Sequence, residues 1–213
     1  MMQRFRQPVN GFTHLTGGVL SACALFWLIL LTRGSPVKLL SVIVYGLSLI
    51  TLYTASATYH LTHGSERTLL WLERVDHAAI YVLIAGCYTP ICLTVITGEW
   101  RWILLILVWT LALIGIVYKL LFLIKPGIFS LLYYMLMASI VFIAPPSVIS
   151  MVPPEVVVFL VASGIVFFIG ALVFGFEKPN PHPLIGHHEL WHLFVMTGSA
   201  LHFVAVVYCL KSS

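Results

Sequence analysis

Residues 155–176 read "EVVVFLVASGIVFFIGALVFGF". After Glu155 the run carries no charge, and Ser163 is its only polar side chain. A helix needs about 20 consecutive apolar residues to cross the hydrocarbon of a bilayer. In that solvent each backbone N–H and C=O must be satisfied within the segment, so a lone run of this kind is an α-helix. Working outward, six more runs of the same kind cover 13–32, 38–61, 75–96, 102–124, 128–145 and 188–210. With 155–176 they make seven expected spans. The gaps hold charge or helix breakers: "RGSP", "HGSERTLLWLER", "TGEWR", "KPG", "PPSVISMVPP" and "EKPNPHPLIGH". The fifth run is the shortest and ends at Pro145-Pro146.

Composition agrees. Of 213 residues, 61% are hydrophobic and only 8% are charged, and the mean hydropathy is +1.05. A soluble domain could not cover that much apolar surface. The expected fold is an all-α integral membrane protein, a seven-helix bundle forming a single membrane domain over residues 1–213, in the cell (inner, cytoplasmic) membrane. Neither an internal repeat nor a second domain is visible.

The net charge of +4 comes from Lys and Arg in the gaps between runs, the usual distribution of topology signals. No basic stripe with interleaved aromatics occurs, which sets nucleic acid aside as a partner. With the N-terminus inside, Arg4, Arg6, Arg67, Arg74, Lys119, Lys125 and Lys178 are cytoplasmic, and Arg33, Lys38, Arg101 and Lys211 are outside. Seven against four favours a cytoplasmic N-terminus. Cys23, Cys87, Cys92 and Cys209 lie in apolar runs without a CxxC pair and read as small buried hydrophobes. "LSAC" (20–23) imitates a lipoprotein cleavage box, but its apolar run follows the cysteine instead of preceding it, so the first span reads as retained. "ERTLLWLERVDH" (66–77), whose leucines and Trp71 alternate with charge at roughly helical spacing, reads as a short interfacial helix or a long entry to span three, the segment lying in the interface as a turn being the preferred reading.

Polar residues inside spans are costly and therefore informative. Span two ends with Ser56 and His60, four apart and so on one helix face. Span three begins with Asp76 and His77, and span seven with His188 and His192, again four apart. Counting spans brings all of these to one side of the membrane. Zinc suits such a set, since catalytic zinc sites use three protein ligands plus water. His60, His188 and His192 are the candidate ligands, with iron or another divalent ion as an alternative metal. Asp76 is placed to hold a bound water or orient a ligand, and Ser56 to bond that water or a substrate carbonyl. His14 could join a polar network from span one, and His202 sits near mid-bilayer, bonded to another helix. His63 and His182 are expected in loops, His187 lies one residue off the ligand face, and His77 points about 100° away from Asp76.

The run "HHELWH" (187–192) contains His-Glu-x-x-His, the zinc-peptidase pattern. It is incomplete here. No Asp or Glu follows Glu189, and Val195 stands where the extended peptidase form has Gly. A di-metal bundle needs two Glu-x-x-His motifs, and only one exists.

"NGFTHLTG" (10–17), "SATYHL" (56–61), "ERVDHAAIYVLIAGCYTP" (73–90) and "HHELWHLFVMTGSALHF" (187–203) resemble the bacterial hemolysin III family, within the progestin and adipoQ receptor superfamily. The resemblance spans residues 10 to about 208. It implies seven helices, a cytoplasmic N-terminus and a zinc site near the cytoplasmic face held by His60, His188 and His192, with Asp76 and Ser56 beside it. Bacterial relatives often carry an acidic pair before the Asn; Gln7 and Pro8 stand near that place here. The superfamily is similar to alkaline ceramidases in this arrangement, which implies hydrolysis of a lipid amide, with a membrane lipid as substrate. Zinc would lower the pKa of its water toward about 7, and Asp76 would move the proton. Two other classes stay open: a regulator or receptor of membrane state with a structural zinc, and a pore or cytolytic protein. No protein partner is expected.

Overall fold

A computed structural model describes residues 5–122, 128–182 and 184–212. Arg4, Lys125 and the last two residues of the fourth expected span lie outside the described residues. The helices are α1 (Pro8–Thr32), α2 (Pro36–Leu61), α3 (Glu66–Thr94), α4 (Glu99–Leu121), α5 (Ile128–Ala138), α6 (Pro146–Ile149), α7 (Pro154–Phe176) and α8 (His187–Ser212), with a 3-10 turn at Ile140–Ile143. Among the described residues, six of these are long and apolar enough to cross a membrane: α1, α2, α3, α4, α7 and α8.

Local chemistry sets the boundaries. Pro8, Pro36 and Pro154 open α1, α2 and α7, where the missing N–H costs nothing and φ is already helical. Ser35 and Ser65 cap α2 and α3 by accepting from the N–H groups of Lys38 and Thr68. Gly98 precedes α4 with φ +70°, a conformation open to glycine without strain. Residues 66–77 form the long helical entry to span three, not the preferred interfacial turn. Glu66, Glu73 and Arg74 face outward or partly so, which lets the helix project past the apolar run.

The expected fifth span, 128–145, is not one helix. α5 ends at Ala138, a 3-10 turn follows, and Pro145-Pro146 forces a new start at α6. Its contacts still follow α3 along most of its length. The Tyr134 hydroxyl donates to the His77 carbonyl (3.2 Å) and Tyr88 donates to the Ala138 carbonyl (2.7 Å), while Thr97 lies against Met151.

α1 packs on α2, α2 on α3, α3 on α4 and α7 on α8, and α8 closes back on α1 and α3. Without a hydrophobic force between helices in lipid, close approach relies on small residues. Gly86 of α3 is one such point: a Cβ there would collide with Ser48 Oγ on α2. The core lies between the helices, with Val42, Tyr45, Ala85, Val108 and Val206 essentially inaccessible. Large apolar side chains such as Phe26, Ile106, Leu113 and Val158 cover the outside. This inside-out distribution suits lipid, not water.

Candidate metal centre

The N-terminal end of α1, the C-terminal end of α2 and the N-terminal end of α8 meet at one end of the bundle. There the ring nitrogens of His60, His188 and His192 offer ligand atoms that all lie within 4.8 Å of one another. The ring centroids are 4.8–5.0 Å apart pairwise. His60 and His192 are buried and His188 is partly so.

Each buried ring is held from behind. His60 Nδ1 bonds the Gln7 side-chain oxygen, and His192 Nδ1 donates to the Asn10 carbonyl (3.2 Å). An oxygen acceptor fixes the proton on Nδ1 and leaves Nε2 as a lone pair, the tautomer that a metal ligand requires. His60 Nε2 is buried with no hydrogen-bond partner. Leaving a buried polar atom unsatisfied costs about 1–3 kcal/mol. Three neutral imidazoles, one with a buried unpaired nitrogen, fit a divalent ion with nitrogen preference such as zinc. The set could hold such an ion, and it is the compact cluster of potential ligands found among the described residues.

The start of the chain builds this support. Gln7 donates its backbone N–H to the His60 carbonyl (3.0 Å), and Arg6 donates to the Tyr59 carbonyl (2.7 Å) while lying 4.3 Å over the Tyr59 ring. Both carbonyls belong to the last turn of α2, which has no intrahelical partners for them. His14 stacks on His192, with ring centroids 3.6 Å apart and planes at 9°.

Glu189 is accounted for differently from its peptidase likeness. One carboxylate oxygen accepts from the Asn10 side chain (2.8 Å), the other from the Gly186 N–H (2.8 Å). The second bond is the backward reach of a capping-box glutamate at the start of a helix. Both oxygens are thus engaged in joining α8 to α1 and capping α8.

An apolar cavity of about 700 Å³ begins at the histidines and runs between α3, α5, α7 and α8 as far as Ile96 and Val152, near the opposite end. His188, His192, Ser56 and Asp76 all line its histidine end. Ser56 turns its hydroxyl toward the Asp76 carboxyl. So the five residues expected at the site share one end of the bundle. The three imidazoles form the compact cluster, and Asp76 and Ser56 lie on the cavity wall outside it. His77 bonds the Glu73 carbonyl of its own helix (2.7 Å).

A family model described as "Haemolysin-III related" matches residues 2–203. The chain belongs to the haemolysin-III-related family. It is 36% identical over 206 residues to the hemolysin-3 homolog of Bacillus subtilis (strain 168), covering 95% of this chain and 93% of that protein. It is also 36% identical to hemolysin-3 of Bacillus cereus, over 93% and 89% of the two chains. A more distant relative is the human monocyte to macrophage differentiation factor, 27% identical over 76% of this chain and 67% of that protein. The family match takes in every residue of the histidine end, from Gln7 to His192.

Sequence reasoning missed Gln7 and Asn10 as partners of the ligand rings. Asn10 and His14 are spaced four apart on one helix face, which could have flagged Asn10. Nothing in the local pattern marks Gln7, because its bond to His60 crosses 53 positions of chain.

Proposed function

We propose that this haemolysin-III-related chain is a multi-pass protein of the cell membrane that hydrolyses a lipid amide at a three-histidine zinc centre. The observation that carries this reading is the position of the histidine cluster. It sits at the mouth of a long apolar cavity whose wall also presents a carboxyl and a hydroxyl. A lipid with its polar linkage at that end and its chain in the cavity matches the polarity of both parts.

His60, His188 and His192 would hold the ion, with Gln7 and the Asn10 carbonyl fixing two of the rings. A divalent metal there supplies Lewis acidity, acidifying a water and polarising a carbonyl. Asp76 accepts a proton from the attacking water and returns it to the leaving nitrogen. Ser56 donates toward the carbonyl oxygen and holds it in line. The C–N bond breaks, a C–O bond forms, and the products are a fatty acid and an amine.

We read 128–152 as a seventh, broken crossing. The succession of contacts from His77 to Thr97 supports this, because irregular backbone is tolerated at membrane depth where protein surrounds it. Arg6, Arg67, Arg74, Lys119 and Lys178 then gather at the histidine end, with Arg33, Lys38, Arg101 and Lys211 opposite. The excess of positive charge in the first group, with Arg4 and Lys125 from the sequence, supports reading the histidine end as cytoplasmic.

The test begins with metal content. Detergent-purified protein should carry about one zinc per chain by mass spectrometry, and the His188→Ala/His192→Ala double variant none. Purified protein should release fatty acid from an N-acyl lipid, stop on chelation and resume with added zinc. Metal-free protein, or hydrolysis unchanged in the double variant, would overturn the reading.

A further inference from the structure

Away from the histidine end, the cavity wall holds a buried polar group that the metal centre does not use. His202 lines the cavity and is nine-tenths buried, and its Nδ1 has no hydrogen-bond partner. Its ring lies 5.5 Å from that of Tyr45 on α2, which is fully buried and whose hydroxyl is likewise without a partner. Ser199, one turn earlier on α8, is also buried, and its hydroxyl has no hydrogen-bond partner either. Ser163 lines the same stretch of wall, and its hydroxyl is engaged with the Gly198 carbonyl (3.0 Å). His202 and Tyr45 therefore stand as a donor–acceptor pair with spare capacity.

Such a pair is expensive to maintain. A buried polar atom left unsatisfied costs more than a hydrogen bond returns. Leucine or phenylalanine at 202 would complete the apolar wall at no such cost. An unpaired imidazole in a predominantly apolar cavity is the pattern of a site that positions a ligand by a few convergent polar groups.

The position fixes what it would meet. His202 lies ten residues beyond His192 on one continuous helix, about 15 Å further into the cavity. We infer that His202, with Tyr45 behind it, is a polar subsite that recognises a hydroxyl or keto oxygen carried part-way along a long alkyl chain. This rests on the proposed reading of the cavity as the place of a lipid chain, and adds its substrate class: a chain oxygenated near its middle.

Direct binding tests it without turnover. A fluorescent fatty acid bound to detergent-purified protein is displaced by an unsubstituted long-chain fatty acid or by its mid-chain hydroxy derivative of equal length. Wild-type protein should bind the hydroxy acid on the order of 3–10-fold more tightly, the worth of one net hydrogen bond. His202→Leu should bring the two acids level while keeping affinity for the unsubstituted one. If that variant does not fold, His202→Phe, which keeps an aromatic ring against Tyr45, carries the same test. Equal affinities in wild type would mean that the two groups serve only a buried water, and would overturn the subsite, as would a preference that survives loss of the imidazole. A clear preference in protein that hydrolyses no amide would leave the subsite standing and remove the hydrolase reading. Hydrolysis without preference would do the reverse.

Discussion

The two ends of this bundle are held by different means. At the histidine end, bonds between residues far apart in sequence join three helices: Gln7 to His60, Arg6 to Tyr59, Asn10 to Glu189 and His192 to Asn10. At the opposite end the attachments are mostly local, such as the Ser35 cap on Lys38 and Arg101 on the Ile96 carbonyl, with Lys38 to the Leu210 carbonyl as a longer tie. The difference teaches where precision is needed. Helices in lipid pack adequately through small residues and shape. Three imidazoles held at a metal-binding separation need their rings fixed from behind.

If that contrast is right, substitutions at the histidine end should alter metal and chemistry, and those at the opposite end should alter stability alone. The largest effect is expected from His188→Ala/His192→Ala, which should remove essentially all bound metal by mass spectrometry. Retained stoichiometric metal would place the centre elsewhere. Next comes Asp76→Asn, expected to lower amide hydrolysis by about 10²–10⁴-fold with metal content intact. Loss of the metal in that variant would make Asp76 a ligand in place of a proton carrier.

Gln7→Ala sharpens the comparison further. Removing an outer partner of a metal-binding histidine typically weakens the metal by about 10–100-fold, which competition with a chelator would measure. An unchanged affinity would reduce the Gln7 bond to a packing detail. Glu189→Gln should keep hydrolysis within a few-fold and lower stability by about 1–2 kcal/mol, read from thermal unfolding in detergent. A collapse of activity with metal retained would restore Glu189 as a general base. The smallest change should come from Ser35→Ala at the opposite end. Loss of its cap costs about 0.5–2 kcal/mol, with metal affinity and turnover unaltered.

Much of this was legible in the chain. His188 and His192 are readable because a four-residue spacing on a helix is a fixed geometric relation. His60 and Asp76 are readable because strictly alternating helix directions bring particular ends together. Other features were not legible. The break at 138–146 appears in sequence only as a short run ending in two prolines, and for 66–77 the helical spacing left a long helical entry and an interface turn both open. Glu189 looks like a peptidase base because a motif records residue spacing, while its two hydrogen bonds depend on where Asn10 and Gly186 lie.

By itself the sequence determined the membrane class, six of the apolar crossings and the helix ends that carry His and Asp. Those follow from the length of apolar runs and from helical periodicity, which are local properties. Tertiary structure alone decided that Gln7 and Asn10 fix the ligand rings and that Glu189 is a cap. It also decided that His202 faces the same cavity as Asp76. Each depends on contacts between helices distant in the chain, and periodicity within one helix carries no information about which face meets which neighbour.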